Sequence, residues 1–481
     1  MPIAFRHGVY SQQLPTHLIP VRRVDSALPV VFGTAPVDRL AAGERPVNSL
    51  TMCSSFDEFV KLFGYDEDYS KYTLCEFAYV YLSLYSMAPV IFVNVYDPAE
   101  HRSTVAAQAK AFDAKGRIAL GLYDIQDLAV KNADGSQTFA AGTDYTLDPA
   151  LGVIVRKTTG TIPALGAVKL DYSHGDPTKV VSADIVGGVE PVTGAKSGLE
   201  LVNQVFPKFG MLPGQLVAPG FSQDPAVAIV IESKAVMING HFRCICWIDA
   251  PESLGVYSAV PEYKTQNNLT TELMNLCWPR LTLGGKTHWM SSHAAALTAE
   301  VDWGNESIPY ESPSNKRLRC EGMVVDGQEV LMGLDEANYL NSMGIVTAVN
   351  FMGGLRLWGN RTCAYPDNTD VKDSFIAIQR MFNWVGNTLI LTWWHKVDSP
   401  IRRRRLIDSI VDSNNVWFNG LAAREFILGG RVTFQQGENP VTDLMDGKLR
   451  FHVFFTPPSP AEDVTFLLEY DPDYVTALYG A

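Results

Sequence analysis

Tyr79-Val-Tyr-Leu-Ser-Leu-Tyr-Ser-Met-Ala-Pro89-Val-Ile-Phe-Val-Asn-Val-Tyr96 runs for eighteen residues without a charge, and how it is read decides the fold. Taken whole, it is long enough to be a membrane-span candidate. Pro89 divides it into unlike halves: Glu76–Met87 looks helical, whereas Val90–Tyr96 is β-branched and bounded by Asp97-Pro98. A buried helix followed by a buried strand accounts for both halves without a bilayer. This reading predicts a soluble protein.

The alternation continues on either side. Val30–Thr34 reads as a short strand, and Ser54–Phe63 as a capped helix with Gly64 at the expected stop. After Asp184 come a helical stretch at Ala195–Phe209, the segment Leu216–Gly220, a helix near Pro225–Asn239 and a strand at Phe242–Ala250. Strands alternating with helices predict an α/β core over 30–115 and 184–365. Residues 116–183 differ in character. Two short strands flank the Asp148-Pro149 turn and Ala167–Tyr172 adds an alternating strand, which together suggest a small inserted all-β module. Over 366–460 the pattern predicts an α+β domain: helices at Val371–Val385 and Ser399–Asn419, then strands at Arg431–Phe434 and Phe451–Phe455. The fold class is therefore mixed α/β and multidomain.

Composition limits the function. The chain has 481 residues, 47% apolar and 19% charged, which is enough apolar material for a sizeable core and excludes general disorder. A net charge of −13 argues against binding nucleic acid through phosphate contacts. Seven thinly spread Cys do not resemble a secreted disulfide framework, and the opening residues carry no apolar signal region, so a cytosolic compartment is expected.

Motifs for chemistry are weak. Gly285-Lys286-Thr287 invites a phosphate-loop reading, but Arg280 stands where the motif requires Gly. His288 and His293 are off the spacing that puts two metal ligands on one helical face. Cys244 and Cys246 would share one side of a strand with no second ligand pair nearby, as buried thiols do. No nucleophile elbow or dinucleotide fingerprint is present. No catalytic residue, metal or cofactor is assigned, and the chain reads as a non-enzyme.

The two ends stand out instead. Residues 1–24 carry Arg6, Arg22 and Arg23 with no acid, whereas 461–481 carry five acids and no Lys or Arg. Both alternate apolar residues: Ile3, Phe5 and Val9 at one end, Val464, Phe466, Leu468 and Tyr470 at the other. Such segments suit strand pairing between neighbouring copies, and leaving the second set exposed would invite aggregation. They define an N-terminal arm over 1–29 and a C-terminal arm over 461–481. A second feature is Arg402-Arg-Arg-Arg405. At 100° per residue, Arg402 and Arg405 lie opposite the apolar face formed by Ile407, Ile410, Val411, Phe418 and Leu421, and could dock on an acidic protein surface.

Several blocks fall in a recognisable order: His7-Gly-Val-Tyr10, Val24-Asp-Ser-Ala27, Val31-Phe-Gly-Thr-Ala-Pro36, Ala218-Pro-Gly-Phe-Ser222, Ile248-Asp-Ala-Pro251, Ser312-Pro-Ser-Asn315, Leu355-Arg-Leu-Trp-Gly-Asn-Arg-Thr362 and Asp446-Gly-Lys-Leu449. In this order they resemble the tail sheath proteins of contractile-tailed bacteriophages, a family shared with phage-tail-like bacteriocins. The resemblance implies hexameric rings stacked as a helical polymer around an inner tail tube. It also implies baseplate and tail terminator partners, and no direct nucleic acid or membrane insertion. In such an assembly the arms complete the C-terminal domain with strands from neighbouring subunits, the insert faces outward, and Arg402 and Arg405 face the tube. The expected location is the virion tail, assembled in the host bacterial cytoplasm. A non-contractile capsid or baseplate component, or an α/β enzyme whose site is not visible in the sequence, are the alternative readings.

Overall fold

The computed structural model describes residues 25–149, 151–351, 353–398 and 405–476. Strands β1 (Pro29–Gly33), β2 (Thr51–Cys53) and β3 (Val90–Asn94) open the core. The insert follows with β4 (Arg102–Ala111), β5 (Arg117–Ala119), β6 (Gln126–Asn132), β7 (Tyr145–Asp148), β8 (Val153–Arg156) and β9 (Ala167–Gly175). The core resumes with β10 (Gln215–Val217), β11 (Ile245–Asp249) and β12 (Met274–Cys277), then β13 (Arg280–Leu283), β14 (Lys286–His288), β15 (Gly322–Val325) and β16 (Gln328–Glu329). It closes with β17 (Ile345–Asn350) and β18 (Leu355–Trp358), and a C-terminal pair, β19 (Gly429–Thr433) and β20 (His452–Thr456), ends the series.

The main sheet has eight strands in the order β18-β17-β12-β11-β10-β1-β3-β2. Its centre is parallel, and an antiparallel strand closes each edge. Every residue of β1, β3, β10, β11 and β12 is buried, as expected of a parallel sheet covered on both faces. The charge-free stretch is thereby resolved. Thr73–Ala78 is α-helical, Tyr79–Leu84 widens into a π-helical turn, and Val90–Asn94 pairs with β1 on one side and the edge strand β2 on the other. No described helix is long and apolar enough to cross a membrane.

Local signals work as their chemistry requires. Ser55 accepts a hydrogen bond from the Glu58 amide (3.2 Å) while Glu58 accepts from the Ser54 amide (2.7 Å), so the helix Phe56–Phe63 starts with reciprocal caps. It stops at Gly64, whose φ of +76° and whose closeness to the Pro36 carbonyl both exclude a side chain. The expected helix over Ala195–Phe209 is instead a 3-10 run, Gly198–Gln204, followed by one α-turn, Val205–Phe209.

The insert forms two three-stranded sheets, β4-β9-β6 and β5-β8-β7, around a separate core that includes Phe112, Ile118, Val130, Ile154 and Leu170. It contains the hairpin about Asp148, and its first strand begins at Arg102, upstream of 116. β4 reads poorly as a strand because it is rich in Ala, a helix former, and because a bulge at Ala107 (φ +52°) breaks its alternation.

In the C-terminal region the first predicted helix divides into Val371–Ser374 and Ile376–Trp393. The second runs Arg405–Ala423; its expected start at Ser399 lies outside the described residues. Its apolar face is seated as the periodicity requires, with Ile410, Phe418 and Leu421 buried. The strand expected at Val464–Tyr470 is not formed within the single chain.

Candidate assembly interface

The motifs weighed for chemistry resolve into structure. Gly284 and Gly285, with φ of +59° and +75°, make the two-residue turn of the β13–β14 hairpin. Lys286 pairs with Glu67 at 2.6 Å. The residues that suggested a phosphate loop are therefore a hairpin turn and the start of β14, not a loop opening directly into the first turn of a helix. All seven Cys are free; Cys246 in β11 and Cys244 just before it are buried, and burial pushes both thiols up. No cluster of three or more metal-ligating side chains occurs among the described residues.

His288 and His293 are buried together, their rings 5.4 Å apart, near the start of the helix Met290–Gly304. Glu76 reaches the same region and accepts from the Trp289 amide at 2.6 Å. Burial pushes the Glu76 carboxyl up to about 8, while burial, helped by Arg280 and Lys286, lowers His288 to about 4. The signs oppose each other. Glu76 holds a proton in the folded state that the unfolded chain releases, so its contribution falls as pH rises from about 4.5 to about 8. His288 binds its proton more weakly in the folded state, so its contribution falls as pH drops from 6.5 to about 4. In Glu76→Gln the first slope is removed. Stability relative to the parent should rise with pH between about 4.5 and 8 in urea unfolding, and parallel pH profiles would contradict this.

The candidate surface centres on β19 and β20, an antiparallel pair that no other described strand joins. Its inner face packs on the two long helices. Phe455 lies 4.3 Å from Phe382 and 5.8 Å from Phe418 between ring centres, and Val432 is buried. A Cβ at Gly430 would sit 2.6 Å from Phe418, so the strand approaches the helix too closely for a side chain there. On the outer face Arg431 lies over the ring of its cross-strand neighbour Phe454 at 4.5 Å.

The two edges of this pair are unlike. Asn415, from the helix Arg405–Ala423, accepts from the Val432 amide at 2.7 Å and donates to its carbonyl at 3.2 Å, covering the outer edge of β19. Val432 is therefore turned away from β20. By the alternation of antiparallel ladders, its partner Val453 must turn its own N–H and C=O to the far edge of β20. No described strand occupies that edge. Two-stranded sheets are marginal alone, and a third strand would add both pairing and cover.

The C-terminal arm leaves from the end of β20. Val464, Phe466, Leu468 and Tyr470 are 66%, 83%, 97% and 79% exposed, so an alternating apolar segment that forms no strand is left to solvent in a chain that also has an open sheet edge. Of the other expected interface residues, Ile3, Phe5, Val9 and Arg402 lie outside the described residues. Arg405 begins its helix, and its side chain also lies outside what is described.

Two ion pairs at the arm roots were not legible in the sequence. At the N-terminal root, Arg380 grips Asp302 through both guanidinium nitrogens, one bond measuring 3.0 Å, and Ser26 donates its hydroxyl to the same carboxylate. Both charged side chains are almost fully buried. At the C-terminal root, Arg361 forms a two-point pair with Glu462, with Nε donating to Oε1 at 2.9 Å. The Arg361 guanidinium lies 3.7 Å from the Phe375 ring centre and 4.5 Å from that of Tyr365, and donates to Ser374 at 3.0 Å. Partners so far apart in sequence leave no spacing signal. Arg361 does fall within one of the family-like blocks. That block and Ser312–Asn315 meet, with the Asn315 amide donating to the Leu357 carbonyl at 2.6 Å and the Gly359 amide to the Ser314 hydroxyl at 3.1 Å. Together with Pro460–Asp463 they line one groove.

The chain is 31% identical over 499 aligned positions to the tail sheath protein of Burkholderia phage BcepMu, covering 100% of both chains. It is 26% identical to the tail sheath protein of Escherichia phage P2 over 351 positions, 70% of this chain and 83% of that one. No protein-family model matches. Among solved structures, the fold is similar to a subunit of the PVC sheath complex of an extracellular contractile injection system in its contracted state. The TM-score there is 0.59 at 13% identity, over 98% of this chain and 100% of the other. It is likewise similar to the contracted helical sheath of the anti-feeding prophage, with a TM-score of 0.57 at 14% identity over 98% and 100% of the two chains. The chain belongs to the tail sheath protein family, and its role is that of a structural subunit of a contractile tail.

Proposed function

We propose that this chain polymerises as stacked hexameric rings around an inner tail tube, and that contraction of the polymer drives the tube through the host cell envelope. The observation that carries this reading is that one chain has both an open edge on β20 and an exposed, alternating C-terminal arm. The arms of neighbouring copies, the N-terminal one preceding the buried run that starts at Ser26 and the C-terminal one over 461–481, add strands to the β19–β20 sheet. A head-to-tail contact of this kind does not close on itself and generates a helical lattice. The α/β core supplies the body, the insert, whose first strand begins at Arg102, faces outward, and 366–460 faces the tube. The polymer is built in the bacterial cytoplasm on a baseplate and closed by a tail terminator. Contraction draws on new contacts between subunits, so the mechanism requires no nucleotide.

In this arrangement Arg402 and Arg405 hold the tube weakly in the extended state. Exposed pairs of this kind contribute about 0–1 kcal/mol each, weak enough to release yet repeated along the tail. A double Arg402→Glu, Arg405→Glu variant should lose co-sedimentation with the tube while still polymerising without it. Full-length tails from that variant, with the tube normally retained, would remove these residues from the interface.

A further inference from the structure

Residues 457–463 would suffice to loop the C-terminal arm back onto its own subunit. β20 ends at Thr456, and the alternating segment Val464–Tyr470 follows after a connection long enough for the chain to reverse. The open edge it would meet, at Val453, belongs to the same strand it leaves. A subunit that closed in this way would satisfy its own edge and have nothing to offer a neighbour. The structure holds it open instead. Pro457, Pro458 and Pro460 stiffen the connection. Beyond them Glu462 is pinned by Arg361, whose guanidinium is fixed between Phe375 and Tyr365 and bonded to Ser374. From Ala461 to Pro472 the chain is exposed.

We propose that Arg361 is a positioning residue: by clamping Glu462 at the end of a proline-stiffened run, it keeps the C-terminal arm off the subunit's own β20 and directs it to a neighbouring copy. This rests on the reading that the arms add strands between subunits. The clamp acts before assembly, on the monomer. It keeps both the donor strand and the acceptor edge unsatisfied, the condition under which an exposed edge becomes a site for addition.

The test compares the full chain with Glu462→Ala and with a second variant in which Pro457, Pro458 and Pro460 are also changed to Gly. Amide exchange is followed in dilute monomer and again after polymerisation. In the parent monomer, 464–470 and Val453 should exchange freely, and both should gain protection in the polymer. In the clamp variants both segments should become at least tenfold more protected in the monomer, and the fraction polymerised should fall. Monomers of both variants that exchange like the parent and polymerise to the same extent would overturn the clamp. A parent polymer with no added protection at 464–470 or Val453 would instead overturn strand addition itself. Circular dichroism matching the parent separates either result from misfolding.

Discussion

Asp302→Ala is expected to destabilise the folded chain by roughly 3–5 kcal/mol, because it strips the partner from a buried guanidinium. Arg380 and Asp302 are 3% and 2% exposed, so water cannot replace the lost carboxylate. The Ser26 hydroxyl loses its acceptor in the same step, and the Ser26 carbonyl, which accepts from Arg380 at 3.4 Å, loses its setting. The pair joins the helix Met290–Gly304 of the core to the helix Ile376–Trp393 of the C-terminal region, at the point where the N-terminal arm departs. A double Asp302→Leu, Arg380→Met variant should recover part of the loss, since well-packed apolar residues often match a buried ion pair. Urea unfolding of the three proteins measures this. A single variant within about 1 kcal/mol of the parent, the range of an exposed pair, would show that the pair is not sealed from solvent.

Val453→Pro should strongly weaken assembly while leaving the subunit folded. The Val453 amide faces the free edge of β20, since Val432 opposite it is bonded to Asn415. Proline is tolerated on an edge strand where its missing N–H would point outward. Inside the subunit the change costs little more than some contact with the helices, so the melting profile should stay close to the parent's. At the interface it removes a hydrogen bond of about 1 kcal/mol and sets a ring against the incoming strand, raising the critical concentration for polymerisation by roughly tenfold or more. Sedimentation across a concentration series reads the effect. Unchanged polymerisation by a folded variant would place the added strand elsewhere.

Much of this architecture was legible from local chemistry. Pro89, between a helical run and Val90–Asn94, was enough to turn a membrane-like stretch into a helix and a buried strand. Ser55, Glu58 and Gly64 marked both ends of one helix, and Gly284-Gly285 explains why a phosphate-loop look-alike is a hairpin. Signals failed where structure depends on distant partners. The Ala-rich β4 is a strand only because β9 pairs with it, and Arg361–Glu462 and Asp302–Arg380 join residues with no common motif. The strand expected at Val464–Tyr470 is a different case. Its pattern is that of a strand, but a strand needs an edge, and the described chain leaves it unpaired and exposed. The pattern is therefore informative about assembly more than about the subunit fold.

The most direct measurement is negative-stain electron microscopy of the purified full chain beside two variants, one lacking residues 1–20 and the other carrying Val453→Pro. Strand addition through the arms predicts long hollow tubes from the full chain and dispersed monomers from both variants. Tubes of the same length and diameter from all three would contradict it.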